Sequence, residues 1–138
     1  MALDVLMLTI QDWANTGYRF YQCLKSMGLN CLAFKGYFHP FMYPEQMLIH
    51  PALAFIPNDT NGVFDCDNLE MQKMAKEAKI IHYMHSSFIN MGIDILKKKK
   101  VVIQHGGGTY REYHEKINPI YNRIATATIV QTPDLMGL

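Results

Sequence analysis

A chain of 138 residues, 49% hydrophobic and 18% charged, is long enough to bury one core and polar enough to remain in water. Thirteen lysines and arginines against twelve acidic residues leave a formal charge of +1, so charge gives no case for nucleic acid as a partner. Cys23, Cys31 and Cys66 are odd in number and form no CxxC pair, which argues against a disulfide framework or zinc site and for a reducing cytoplasm.

The opening "MALDVLMLTIQDW" lacks a basic start and is interrupted by Asp4, so it reads as a first strand and not as a signal peptide. No apolar run approaches the roughly 18 residues of a membrane span. Residues 4–10, "DVLMLTI", form a near-continuous apolar run, the pattern of a strand covered on both faces of a parallel sheet. After the loop "QDWANT", Asn15 or Thr16 serves as N-cap of a helix over 17–27. Phe20, Leu24 and Met27 make its buried face, and Gly28 ends it. A second strand follows over 29–34.

Residues 35–66 carry four prolines and read as a long wrapping loop, with a short strand at 52–56. His39 and His50, each before a proline, read as turn residues. The next helix, 67–78, opens at Asp67 and presents Met71, Met74, Ala75 and Ala78 on one face, with the methionines as core filler. A strand over 79–85 leads to Ser86 as cap of a helix over 87–96. The four lysines at 97–100 read as a solvated helix end that favours the negative end of a helix dipole, with contact to an anionic membrane surface as the alternative. Residues 101–104 form a further strand, a short helix lies within 109–124, and 126–131 form the last strand. Thr132, Pro133 and Asp134 then open a helix that these residues do not complete. The expectation is the front part of a longer protein, or a short stand-alone relative of one.

Alternating strand and helix implies a Rossmann-like, doubly wound parallel sheet with helices on both faces. Ligands of such sheets bind outside the carboxyl ends of the strands. Those ends fall at Gln11 to Gly17, His85 to Ser87, His105 to Tyr110 and Thr132 to Asp134, where polar and glycine residues gather. "NTG" lacks the GxGxxG of a dinucleotide site, and "GGGTY" lacks the GK[ST] of a P-loop. The three glycines are either a tight turn or an anion nest. His82 is expected in the core and His85 in the site, because a spacing of three along a strand puts them on opposite faces. No third ligand accompanies His85 and His105, so neither metal nor cofactor is expected. His105 is the sharpest catalytic candidate, able to take a proton from a hydroxyl near neutral pH. Asp12 would orient an imidazole or bind hydroxyls. The alternative makes both ordinary polar loop residues.

At these residues the chain resembles the N-terminal half of a GT-B glycosyltransferase of the glycogen-synthase-like superfamily. The resemblance lies in "QDWANTG", "AKIIHYMHSS", "KKKKVVIQHGG" and "TATIVQTPDL", in that order. It implies an acceptor-binding domain that transfers a sugar from a nucleotide sugar to a glycan or other hydroxyl acceptor, once a C-terminal donor domain completes it. In that scheme Asn15, Thr16 and Gly17 face the donor phosphates or the acceptor, and His85 lines the acceptor pocket. His105 contacts the transferred sugar or the acceptor hydroxyl; Asp12, from its place at the tip of the first strand and not from the resemblance, is the second catalytic candidate. Ser86, Gly106, Gly107 and Thr109 join them as substrate-binding candidates. An apolar surface meant for the missing half would favour a homodimer. Two other readings stay open. "VVIQHGGGTY" is also similar to the HGGG loop of lipase-type α/β-hydrolases, although no GxSxG elbow occurs. The chain also fits a non-catalytic nucleotide- or partner-binding domain.

Overall fold

The structure is a computed structural model that describes residues 2–38, 41–54, 63–85 and 87–138, apart from the side chains of Val63 and Thr109. Its centre is a six-stranded sheet in the order β3-β2-β1-β5-β7-β8. The strands are β1 (Val5–Leu8), β2 (Cys31–Lys35), β3 (Leu48–Ile49), β5 (Ile80–Tyr83), β7 (Lys100–His105) and β8 (Ala127–Val130). Every neighbouring pair is parallel. The chain is therefore the α/β, Rossmann-like fold that the strand and helix alternation implies.

Burial on both faces explains why β1 reads as unbroken apolar sequence. Leu6 and Leu8 face a core that includes Ile81, Tyr83, Val101 and Ile103. The helices α3 (Leu69–Glu77) and α5 (Gly107–Ile124) cover it with Met71, Ala75, Ile117 and Tyr121. Val5 and Met7 face the other way, into a smaller core with Cys31, Ala33 and Met84 that Phe20, Tyr21 and Leu24 of α1 (Thr16–Ser26) cover. Each such side chain contributes about 1.5–3 kcal/mol on leaving water, so the two faces together fix the register of the central strand.

Several boundaries differ from the sequence expectation. Met27 lies past the end of α1 and is 70% exposed, so it leaves the buried face to Phe20, Tyr21 and Leu24. The expected strand at 52–56 is a helical turn, α2 (Pro51–Ala54), where it is described; 55 and 56 lie outside the described residues, as does His39. His50 is a turn residue whose Nδ1 accepts from the Ala52 N–H at 3.1 Å. Asn68, and not Asp67, caps α3, its side chain accepting from the Met71 N–H at 3.0 Å.

The expected helix over 87–96 is reduced to one turn, α4 (Ile93–Leu96). Ahead of it, β6 (Phe88–Asn90) pairs in parallel with β4 (Val63–Asp65) as a small ribbon that packs buried Phe88 and Ile89 into the larger core. Gly92, at φ 108°, breaks the chain between ribbon and helix. Ser86, the expected cap, lies outside the described residues. Helix α5 starts earlier than expected, within the glycine run, and keeps Pro119 inside it, and the helix opening expected at Thr132 is a 3-10 turn over Pro133–Gly137. Among the described residues no helix is long and apolar enough to cross a membrane.

Candidate functional site

The carboxyl ends of β1, β5 and β7 meet at a cleft of about 420 Å³ lined by Trp13, Ala14, Thr16, His85, the glycines 106–108 and Gln131. Its construction starts at Asp12, which is 1% exposed. A buried carboxylate is stable only where donors replace water. Here the Gly17 and Tyr18 N–H groups donate to it at 2.7 and 2.9 Å. These are first-turn amides of α1, so Asp12 caps the helix from outside it. Asn15 occupies the N-cap position but makes no capping bond; its amide donates to the Glu45 carbonyl at 2.8 Å, and its Oδ1 has no partner among the described residues. Thr16 donates to the Trp13 carbonyl at 3.1 Å. Gly17 is glycine for a packing reason, since a Cβ there would stand 2.8 Å from Asp12 Oδ1.

His85 completes the arrangement. β5 ends at Tyr83, and His85 turns into the left-handed region at φ 55°, a backbone held by its surroundings. Its Nε2 lies 2.8 Å from Asp12 Oδ1. An ionised carboxylate only accepts, so Nε2 carries the proton and Nδ1 of the neutral ring is left with a lone pair. Two further residues, Ala14 and Asn15, hold positive φ in succession and carry Trp13, half exposed, to the mouth of the cleft.

The opposite wall is the first turn of α5. Gly107 and Gly108 open an 18-residue helix whose leading N–H groups have no intrahelical acceptor. The fold does not require glycine here. None of residues 106–108 has positive φ. A Cβ at Gly108 would meet nothing within 4 Å, one at Gly106 would make ordinary contact with His85, and one at Gly107 would meet only the end of the Arg111 side chain. Glycine in a helix costs up to about 1 kcal/mol relative to alanine. The missing side chains leave bare backbone along the cleft.

Of the expected site residues, the fold brings Asp12, Thr16, Gly17, His85, Gly106 and Gly107 to this rim, with Asn15 tucked beneath it. Ser86 and the Thr109 side chain lie outside the described residues. His105 does not join them. It is the last residue of β7 and points to the α5 face, stacked on Tyr110 at 3.8 Å between ring centroids and 9° between planes. It lines a second cavity, of about 350 Å³, together with Asn118, Tyr121 and Leu138. Burial pushes its pKa down to about 4. His82 is a core residue whose pKa burial likewise pushes down to about 4, opposed more weakly by the neighbouring Gln104 side chain; its Nε2 has no hydrogen-bond partner among the described residues. The Phe20 ring stands perpendicular to it, with the two centroids 5.0 Å apart.

Trp13, Ala14 and Gln131 were not singled out from the sequence, nor was Lys35 at the end of β2. Lys35 is 1% exposed; its ammonium donates to Gln46 Oε1 at 2.6 Å. Burial lowers its pKa, opposed by the nearby Asp12 charge. Near the cleft, Arg111 Nε donates to Asp134 at 2.8 Å, and that bond holds the Asp134 pKa down to about 2. Among the described residues no group of three or more histidine, cysteine or acidic side chains could hold a metal ion. Comparison with family models, with curated proteins and with solved structures finds no significant match to this chain.

Proposed function

We propose that the cleft binds a ligand rich in hydroxyl or phosphate groups, and that the chain is the acceptor-side domain of a glycosyltransferase using a nucleotide sugar in the cytoplasm. One observation carries this reading: three glycines that packing does not require stand opposite a histidine held by a buried carboxylate. The bare N–H groups of Gly107 and Gly108 suit a phosphate or hydroxyl oxygen. Across the cleft, Nδ1 of His85 suits the proton of an acceptor hydroxyl, and Asp12 supports the positive charge that the ring gains on taking it. Trp13 suits the apolar face of a sugar ring. In this reading His85 takes the hydroxyl-facing role that the family resemblance implies for His105. Donor contacts come from a second, C-terminal domain.

The reading is tested by following histidine ring signals in NMR while the chain is titrated with simple glycans, sugar phosphates and nucleotide sugars. The His85 ring should shift with at least one of them, while buried His82 stays still. If none moves His85, the sugar-transfer reading fails and a non-catalytic partner-binding domain takes its place.

A further inference from the structure

All six strands are parallel, so all begin at the rim opposite the cleft, and α1, α3 and α5 end there. Lys25, Lys76 and Arg123 stand in the last turns of those three helices. Lys79 precedes β5, Lys97, Lys98 and Lys99 follow α4, and Lys100 opens β7. These eight are most of the chain's thirteen lysines and arginines, and among the described residues only three acidic ones, Asp4, Glu77 and Asp94, accompany them. Among the described residues the rim thus holds five more positive than negative charges in a chain whose net charge is +1, so the remainder is net negative. The molecule is electrically two-ended.

Helix dipoles account for a cation in the last turn of α1, α3 and α5. They do not account for four successive lysines after a helix of one turn. Lys99 is engaged with the Lys76 carbonyl, and Lys79 pairs with Asp4 at 2.7 Å. Lys97, Lys98 and Lys100 are exposed and have no acidic partner among the described residues. Beside them a hollow of about 440 Å³ is lined by Lys76, Asp94, Ile95, Lys98 and Lys99. Two exposed apolar side chains, Met27 and Ile93, accompany the lysines.

We propose that this rim docks the domain on an anionic phospholipid bilayer and turns the cleft towards the aqueous phase. A charged plane matches lysines spread along the edge of a sheet, where each contributes independently. A single-stranded nucleic acid calls for aromatic rings between the cations. The exposed rings Trp13, Tyr37 and Phe38 instead follow strand ends at the opposite rim. The proposal does not depend on what the cleft binds.

Vesicle co-sedimentation tests it, with phosphatidylcholine alone and with added phosphatidylserine, at low and high salt. The chain should pellet only with the anionic vesicles and be released by salt. Replacing Lys97, Lys98 and Lys100 with glutamine, all on the surface, should lower the partition coefficient about 100-fold, at roughly fivefold per charge. Replacing Arg19 and Lys116, away from this rim, should change it little. Circular dichroism establishes that the variants are folded. Equal pelleting with both vesicle types, no pelleting with either, or binding to a duplex oligonucleotide as tight as to anionic vesicles would each overturn the proposal.

Discussion

The Asp12 carboxylate and the His85 imidazole meet at 2.8 Å although 73 positions separate them in sequence. The same carboxylate caps α1 through Gly17 and Tyr18. One buried charge therefore both starts a helix and sets a histidine tautomer, which couples the shape of the rim to its chemistry.

Asp12→Asn separates these roles. The amide keeps the shape but loses the charge and places a donor against donors. The variant should be about 1–3 kcal/mol less stable in urea unfolding. In ¹⁵N NMR the His85 ring should be held with its proton on Nε2 in the original chain and shift towards a tautomer mixture in the variant. An unchanged ring signal would show that Asp12 does not set the tautomer.

Gly17→Ala should destabilise by about 1–3 kcal/mol, because the added Cβ would stand 2.8 Å from Asp12 Oδ1 and disturb the cap. Thermal unfolding measures it. A variant as stable as the original would mean that Asp12 can withdraw freely, which its burial argues against.

Acid should weaken the fold in a defined window. His82 and His105 have folded pKa values of about 4 against an ordinary 6.5, with burial as the main cause. The unfolded chain thus takes up protons first. Stability is full above about pH 6.5, falls as pH drops towards 4, and levels off once the folded rings also titrate. The loss should be on the order of 3 kcal/mol per ring at most. Urea unfolding across this range should show the slope, and His105→Phe, which preserves the stack on Tyr110, should remove about half of it. A flat profile would contradict the burial of both rings.

The parallel sheet was legible because β1 is apolar on both faces, as a covered central strand is, and because strands alternate with helices along the chain. The carboxyl rim followed from it. The side of the sheet taken by His105 was not legible, whereas that of His85 was. It depends on a difference of one or two residues in where a strand stops. β7 runs through His105, which keeps that ring facing α5, whereas β5 stops at Tyr83 and frees His85 to turn into the cleft. The ribbon of β4 and β6 was equally hidden, because three-residue strands are too short for a period and gain their bonds only from each other.

Calorimetric titration of the chain and of Gly108→Ala, with the ligand that moves the His85 ring and with melting curves alongside, tests the central claim most directly. The account predicts that the variant melts at a higher temperature, because alanine favours the helix by up to about 1 kcal/mol. It also predicts that the variant binds at least tenfold more weakly, because a methyl group then covers the bare backbone. A variant that melts higher and binds as tightly as the original would contradict it.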